Sequence, residues 1–389
     1  PGGRGEGGAG GKGADGMTRG GTGGGRRGEP LRIVRPRDAA APALITGGAG
    51  FVGTNLAHHL LSRGEPVVLL DNLSRPGVER NVEWLCATHP GGVRVEVADV
   101  RDAAAVARAV AQARVVFHFA AQVAVTTSLA APREDFEINA QGTLNVLEAL
   151  RQLPDPPPLI YTSTNKVYGG LDDIALQRRA DRYEPVDSEV RWHGIDESRP
   201  LAFHTPYGCS KGAADQYVLD YARSFGLETV VFRMSCIYGP HQCGTEDQGW
   251  VAHFALRALD GRPITVYGDG RQVRDVLFID DLLSAFDLAC ANLSRLSGRA
   301  FNIGGGPANS VSLLEVVDAI GRITGRRPAL EFAEWRAGDQ RYYVSDMRGF
   351  QEATGWAPSV SLEEGLGRLC EWIADARGAR PKIAASERA

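Results

Sequence analysis

The chain has 389 residues, enough for one large or two modest domains. Its 43 lysines and arginines nearly balance its 47 aspartates and glutamates, for a net charge of −4. This balance favours no nucleic-acid partner, and no apolar run is long enough to suggest a membrane span. The six cysteines are scattered without a Cys-x-x-Cys pair, so we expect no disulfide framework, no metal site and a reducing, cytoplasmic location.

The amino-terminal segment differs in composition from the rest of the chain. Residues 1–41 are rich in glycine, arginine, alanine and proline and have almost no large apolar side chains. Such a segment cannot bury enough surface to offset the entropy lost on ordering, which predicts a disordered tail. It also lacks the apolar stretch of a secretion signal, and Met17 is a candidate for the true first residue. At the other end, residues 377–389 are polar and predicted to be frayed.

The first periodic segment predicts a dinucleotide-binding fold. An apolar strand (43–46) runs into a glycine turn (47–53), a helical segment (54–62) follows, and a second strand (67–70) ends at Asp71. In this order of elements a diphosphate binds at the amino-terminal end of the helix, where backbone N–H groups are free. A glycine turn without a ligand is the alternative.

Individual residues of this segment have separate predicted roles. Gly47 allows the tight turn, Gly50 lets the backbone approach a pyrophosphate, and Gly53 lets helix and strand pack closely. Asp71 is placed to bind the hydroxyls of an adenosine ribose. Its carboxylate would repel a 2′-phosphate, which favours NAD over NADP as the cofactor.

Strands and helices continue to alternate, which predicts a doubly wound parallel sheet. The predicted strands are 93–100, 115–119 and 159–164, and the predicted helices are about 102–112 and 132–152. We read His118 as a core histidine, and the helical pair Asn139 and Thr143 is as consistent with helix packing as with function. The residues expected to line the cofactor pocket are Gly47, Gly50, Phe51, Val52, Gly53, Asp71, Asn72, Asp99, Val100, Ala120, Ala121, Gln122, Tyr207 and Lys211.

Hydroxyl groups crowd the end of the fifth predicted strand. Thr162, Ser163 and Thr164 stand where ligands bind in open parallel sheets, beyond the carboxyl ends of the strands. A hydroxyl at this point can hydrogen-bond a reacting alcohol. The spacing does not choose among the three.

Tyr207 and Lys211 are four residues apart and therefore lie on one face of a predicted helix. Thr205 can cap this helix, Pro206 suits its first turn, and Gly226 ends it. An ammonium group beside a phenol favours the phenolate, so the pair predicts a tyrosine base with a lowered pKa. A surface helix with an ordinary Tyr–Lys pair is the alternative.

Three runs together resemble the extended short-chain dehydrogenases/reductases, the NAD-dependent sugar-nucleotide epimerase/dehydratase family. They are 46–53, 163–169 and Tyr207-x-x-x-Lys211, and the resemblance covers roughly 43–375. It implies a Rossmann domain beside a smaller, discontinuous α+β substrate domain. The implied bounds are 42–236 for the NAD-binding domain, with an insertion at 170–205, and 237–376 mainly for the substrate domain, with 272–304 returning to the Rossmann sheet.

The resemblance also implies residue roles. Thr164 is the catalytic hydroxyl, Tyr207 the general base, and Lys211 the group that tunes Tyr207 and holds the nicotinamide ribose. The residues expected to contact the substrate are Thr164, His204, Gln248, Arg274 and Arg341, the two arginines as ligands of a diphosphate.

The implied activity is inversion of one carbon of a nucleotide-linked hexose, through a transient keto sugar. The longer runs 163–169, 203–217 and 247–251 resemble one subgroup of the family, and this resemblance implies C2 as the carbon and CDP as the carrier. A UDP-sugar 4-epimerase and an NDP-sugar 4,6-dehydratase remain as rivals, together with a non-enzymatic module that senses NAD or a nucleotide sugar. Family members are often homo-oligomers, so we expect a dimer or tetramer.

Overall fold

The structure, a computed structural model, describes residues 40–377. The predicted disordered segment 1–41 lies outside this range except for its last two residues, and the predicted frayed segment 377–389 except for its first.

Helices and strands alternate along the chain. The strands are β1 (Ala43–Thr46), β2 (Val67–Asp71), β3 (Val93–Val97), β4 (Val115–His118), β5 (Leu159–Thr164), β6 (Leu176–Arg178), β7 (Tyr183–Pro185), β8 (Thr229–Met234), β9 (Cys236–Tyr238), β10 (Ile264–Tyr267), β11 (Val273–Phe278), β12 (Arg299–Ile303), β13 (Ser310–Ser312), β14 (Leu330–Ala333) and β15 (Tyr342–Tyr343). The helices are α1 (Phe51–Ser62), α2 (Val78–Thr88), α3 (Ala103–Ala111), α4 (Val125–Ala130), α5 (Pro132–Phe136), α6 (Gly142–Arg151), α7 (Ser188–His193), α8 (Thr205–Phe225), α9 (Trp250–Leu259), α10 (Ile279–Ala291), α11 (Leu293–Leu296), α12 (Leu313–Thr324), α13 (Arg348–Thr354) and α14 (Leu362–Ala376).

A large parallel sheet organises the fold. Within residues 40–377 it has seven strands in the order β12-β8-β5-β4-β1-β2-β3. Ala43 of β1 stands opposite Val67 on one side and Val115 on the other, in parallel register. The strand order reverses between β1 and β4, the point at which such sheets bind their ligands. The predicted doubly wound sheet is confirmed.

Apolar side chains cover both faces of this sheet. Successive residues of β1 point to opposite faces, so Ile45 packs in the cluster that contains Leu56 of α1, and Leu44 packs with Val106 of α3 and Val146 of α6. A sheet buried on both faces needs strands that are apolar throughout, which is why the strands read as short apolar runs without alternation.

A smaller set of elements follows β8 and stands over the carboxyl edge of the large sheet. Here β11 pairs antiparallel with β13 and parallel with β9 and β15, while β10 pairs with β14. Of the segment 272–304, β12 joins the large sheet and β11 belongs to the smaller one. Among the described helices, none is long and apolar enough to cross a membrane.

A buried ion pair fixes α8 against the sheet. The guanidinium of Arg233, on β8, donates to both carboxylate oxygens of Asp215, on α8, over 3.0 and 2.9 Å, and a third N–H reaches the hydroxyl of Tyr168 at 3.2 Å. The side chains of Arg233 and Asp215 are 5% and 0% exposed. Removal of one partner would therefore leave a buried charge without compensation.

We expect Arg233→Leu to lower the free energy of unfolding by about 3–5 kcal/mol, because Asp215 would stay buried without its partner. Denaturant unfolding followed by circular dichroism measures the change. Arg223→Leu on the exposed side of α8 is the matched control and should change stability by less than about 0.5 kcal/mol. Equal effects of the two substitutions would contradict a structural role for the buried pair.

Candidate active site

A deep cavity lies at the carboxyl edge of the large sheet. Its volume is 480 Å³, and its walls come from both the large sheet and the smaller set of elements. It is lined by four segments of the large sheet: the turn after β1, the end of β2, the residues after β4 and the end of β5. The topology thus brings together segments that are far apart in the chain.

The glycine turn forms one wall of the cavity. Gly47 has φ +68, and a Cβ at this position would lie 2.7 Å from the backbone nitrogen of Ala120. A Cβ on Gly53 would lie 2.6 Å from the carbonyl oxygen of Gly47, so both positions require glycine. The predicted tight turn and close helix packing at Gly47 and Gly53 are therefore present.

The amino-terminal end of α1 has donors without acceptors. Its N-cap residue, Gly50, contributes no side-chain hydrogen bond, and the first turn has no acidic residue. The free N–H groups and the positive end of the helix dipole suit a diphosphate at this point. Gly50 and Gly53 both line the cavity.

Asp71 connects the end of β2 to the glycine turn. Its Oδ2 accepts a hydrogen bond from the Ala49 N–H at 3.0 Å, and its Oδ1 accepts from the Leu73 N–H at 2.9 Å. Burial raises the pKa of Asp71, while these two hydrogen bonds act in the opposite direction. The carboxylate lies in the cavity wall, where the sequence predicts a ribose ligand.

Asp99, Asn72 and Val100 line the same end of the cavity. Asn72 donates to the Asp99 carboxylate at 2.9 Å, and Arg101 donates to it at 2.8 and 2.9 Å. The Arg101 hydrogen bond is the main cause that lowers the pKa of Asp99 to about 2. This network gives the predicted adenine end of the pocket a charged, hydrogen-bonded rim.

Three buried oxygen atoms in the cavity wall have no hydrogen-bond partner. They are the hydroxyl of Ser163 and the amide oxygens of Gln242 and Gln272, and all three residues line the cavity. A buried polar atom without a partner is costly, so a polar ligand in the cavity would supply what these atoms lack. The glycine turn, the open helix end and these atoms fit a dinucleotide with a second polar ligand.

The predicted catalytic residues converge in the cavity. Tyr207, Lys211 and Thr164 all line it, with exposures of only 9%, 4% and 7%. Thr164 hydrogen-bonds the Tyr207 side chain and accepts from the Lys166 N–H at 3.2 Å. Lys211 donates to the Thr162 carbonyl at 2.6 Å and lies 4.3 Å from the centre of the Tyr161 ring. Of the three candidate hydroxyls, that of Thr164 makes the contact with Tyr207.

The expectation of a lowered tyrosine pKa is wrong for this geometry. Burial raises the pKa of Tyr207 to about 12, and the Thr164 hydrogen bond offsets only part of that rise. Burial also lowers the pKa of Lys211 to about 7, although Asp215 and Asp135 favour its charged form. The sequence rule assumes a fully charged lysine beside a solvated phenol, and here both groups are withdrawn from water.

A buried polar network around Asp135 connects α8 to α5 and to the turn after β4, and the sequence analysis does not predict it. Asp135 is fully buried, accepts from the Ser210 hydroxyl at 2.5 Å and accepts from the Gln122 amide at 3.0 Å. Asn139, in the π-helical turn Glu137–Gln141, donates to Asp135 at 3.2 Å and to the Ser210 hydroxyl at 3.0 Å. The network joins α8 to the turn after β4, and π-helical turns are frequent at functional sites.

His118 is a core residue, as the sequence suggests. It is 0% exposed, lies 2.6 Å from the Thr46 hydroxyl and 3.0 Å from the Thr143 hydroxyl, and burial lowers its pKa to about 3. Thr143 thus serves packing beneath the sheet edge.

Most predicted ligand-contact residues reach the cavity, and three do not. Gln248 and Arg274 line it, as do all the predicted cofactor residues except Gln122. The Gln122 side chain turns into the Asp135 network instead. His204 is exposed at the start of α8 and absent from the wall.

Arg341 is also outside the cavity wall. It is exposed and stands 5.9 Å from the ring of Tyr183 and 5.6 Å from that of Trp335. Arg336 lines the cavity instead, stacked 3.8 Å from the Tyr267 ring centre and 3.2 Å from an Asp247 carboxylate oxygen. Arg336 and Arg341 stand on opposite sides of the sequence 338–340, and only Arg336 lines the cavity.

Comparison with known proteins agrees with this geometry. Residues 43–304 match the NAD dependent epimerase/dehydratase family, and the chain belongs to that family. Among curated proteins, the CDP-paratose 2-epimerase of Salmonella typhi is 45% identical over 85% of this chain and 98% of its own length.

Solved structures of relatives have the same fold. The Thermus thermophilus UDP-glucose 4-epimerase in complex with NAD has a TM-score of 0.72 and 34% identity, covering 87% of this chain and 100% of that one. The Thermotoga maritima UDP-glucose 4-epimerase with UDP-glucose has a TM-score of 0.74 and 29% identity, covering 86% and 99%. The chain is thus an NAD-dependent enzyme with a Rossmann fold.

We expect the wild-type chain to gain stability relative to Lys211→Met as the pH rises from 7 to 10. The folded-state pKa of Lys211, about 7, lies below its ordinary value of 10.5. Between these values the unfolded chain holds a proton that the folded chain lacks, so each pH unit favours the folded state by about 1 kcal/mol. Below pH 7 both states hold the proton and the difference levels off.

Denaturant unfolding at several pH values, without added NAD, measures this difference. Parallel pH profiles for wild type and Lys211→Met would contradict a buried amine that is largely neutral near pH 8.

Proposed function

We propose that this enzyme inverts C2 of a CDP-linked hexose, converting CDP-paratose to CDP-tyvelose or acting on a CDP-glucose-like relative. The observation that carries the proposal is the 45% identity with the CDP-paratose 2-epimerase of Salmonella typhi, which extends over 98% of that protein. Its support from the structure is a cavity that contains Thr164, Tyr207 and Lys211 beside a second, arginine-bearing wall.

The residues proposed to hold NAD follow the cavity from the glycine turn to α8. The open end of α1 receives the diphosphate, Asp71 the adenosine ribose, and Asp99 with Val100 flank the adenine. When bound, oxidised NAD supplies a hydride acceptor, a positive charge in the pocket and the hydride that later returns.

Tyr207 is proposed as the base that removes the proton of the sugar hydroxyl. With a pKa of about 12 it is a neutral phenol in this geometry, so it needs a nearby positive charge to act near pH 7. Thr164 donates a hydrogen bond to the sugar oxygen as charge develops there. The hydride of the same carbon would pass to the NAD held in the cavity, which leaves a keto sugar. After this sugar turns in the cavity, return of the hydride to its opposite face would restore the alcohol, and Tyr207 would give the proton back.

The 4,6-dehydratase alternative is disfavoured by the residues that follow Thr164. A dehydratase needs an acid and a base beside the hydroxyl, and Asn165 and Lys166 stand at these positions. The Asn165 amide is held by Gln340 at 3.2 Å. A 4-epimerase shares the whole catalytic set, so the carbon that is inverted must be measured. The presence of Tyr207 and Lys211 together disfavours a module that only senses its ligand.

We also infer a homo-oligomer. Exposed apolar side chains cluster on α4, α5 and α8, where Tyr217 is 47%, Phe225 51% and Phe136 56% exposed. An exposed apolar surface of this kind typically marks a protein interface. Sedimentation equilibrium gives the mass, and a monomer would contradict the inference.

We expect the purified enzyme to invert C2 when incubated with a panel of CDP-, UDP-, dTDP- and GDP-hexoses. NMR of the products identifies the carbon, and denaturation of the enzyme should release NAD. Tyr207→Phe is the matched control and should lower turnover at least 100-fold. Inversion only at C4, or formation of a 4-keto-6-deoxy sugar, would contradict the proposal.

We expect Arg336→Ala to raise the KM for the nucleotide sugar about 10- to 100-fold, because it removes a guanidinium from the cavity wall. Arg341→Ala in the same segment should change KM less than about 2-fold, since Arg341 lies outside the wall. Steady-state kinetics compares the two variants. The reverse order would restore Arg341 as the phosphate ligand predicted from the sequence.

A further inference from the structure

Lysine is rare in this chain. Among the 43 lysines and arginines, only Lys12, Lys166, Lys211 and Lys382 are lysines. Within residues 40–377 the two lysines both line the active-site cavity, while arginine serves at the other cationic positions, including the surface ion pairs. Lysine is thus found at the two described positions that line the cavity, and its ammonium is more compact than a guanidinium and has a pKa that burial can shift. Lys211 belongs to the Tyr–Lys pair, and Lys166 has no assigned role.

Lys166 extends from the 3₁₀ turn that follows β5, two residues after Thr164. Its Nζ lies 3.3 Å from the Gln340 side-chain oxygen and 3.4 Å from the Gly338 carbonyl. Both contacts are longer than a strong charged hydrogen bond, and an ammonium has three donors. Lys166 thus keeps donor capacity for a ligand in the cavity.

The charges around Lys166 do not balance. Arg274 donates to the Asp339 carboxylate at 2.6 Å, so that this carboxylate is already paired, and the Lys166 ammonium adds a second positive charge to the group. Burial, with a contribution from Arg274, lowers the pKa of Lys166 to about 8, although Asp339 favours the charged form. Two cations beside one carboxylate in the cavity wall form a site that an anionic ligand would complete.

We infer that Lys166 binds the phosphate group next to the sugar and thereby determines which carbon reaches Tyr207. This inference rests on the proposed function. It assigns Lys166 as a substrate-contacting residue that fixes the position of the sugar ring, distinct from the catalytic set of Thr164, Tyr207 and Lys211.

The position of Lys166 explains a preference for C2. C2 is bonded to the anomeric carbon that carries the diphosphate, whereas C4 lies across the ring. Because Lys166 follows Thr164 by two residues, a phosphate on Lys166 places the anomeric end of the sugar close to the catalytic hydroxyl.

The test compares a nucleoside diphosphate with its monophosphate on the NAD-bound enzyme. CDP, UDP, dTDP and GDP are first titrated by calorimetry, and the tightest binder and its monophosphate are carried forward. Lys166→Met should weaken binding of the diphosphate about 10- to 100-fold and binding of the monophosphate less than about 2-fold. Arg341→Met, which removes an exposed cation beside Gln340 but outside the cavity wall, is the matched control and should leave both affinities within about 2-fold.

Unchanged diphosphate affinity in Lys166→Met would overturn the inference, and so would an equal loss of both ligands. Lys166→Arg keeps the charge and should retain most of the preference for the diphosphate; a loss as large as that of Lys166→Met would also count against it. The titration uses no sugar, so its outcome is independent of whether the enzyme inverts C2, which the sugar panel decides.

Discussion

The geometry of Tyr207 and Lys211 depends on how tightly α8 is held against the carboxyl edge of the sheet. Asp215 receives two hydrogen bonds from Arg233 of β8, and Ser210 donates to the buried Asp135 on the opposite side. Ser210 lies three residues after Tyr207 on α8, and Asp215 lies four residues after Lys211. Directional hydrogen bonds fix the rotation of a helix about its axis, which apolar packing alone does less sharply. The orientation of Tyr207 and Lys211 is therefore set by groups that lie outside the cavity wall.

Burial of Tyr207 and Lys211 determines their charge states. Water is excluded from Tyr207 and from Lys211, so each group favours its neutral form, with pKa values of about 12 and about 7. A site in this state is poised to respond to a positive charge that enters the cavity, because the low dielectric strengthens its effect on the phenol. The proposed role of the pair in proton transfer therefore depends on the positive charge that oxidised NAD would bring.

Much of this site follows from the sequence because its signals are local. The glycine turn, Asp71 and the Tyr207–Lys211 spacing each encode their geometry within a few residues, and the strand order then brings them together. Arg336, Asp135 and the placement of Gln122 could not be predicted in this way. Their positions depend on which face of a loop meets the cavity, and that choice is made by contacts between segments distant in sequence, such as Arg336 with Asp247. The lowered tyrosine pKa failed for a related reason, since burial is a property of the whole fold.

The two residues after Thr164 connect the end of β5 to the segment 338–340. Asn165 and Lys166 both contact Gln340, and Gln340 donates in turn to the Gly169 carbonyl at 2.6 Å. The catalytic strand is thereby tied to the segment that bears Asp339 and, through it, to Arg274. A change at position 165 or 166 would therefore disturb both the end of β5, which bears Thr164, and the Gln340 contacts that link it to the Asp339–Arg274 pair.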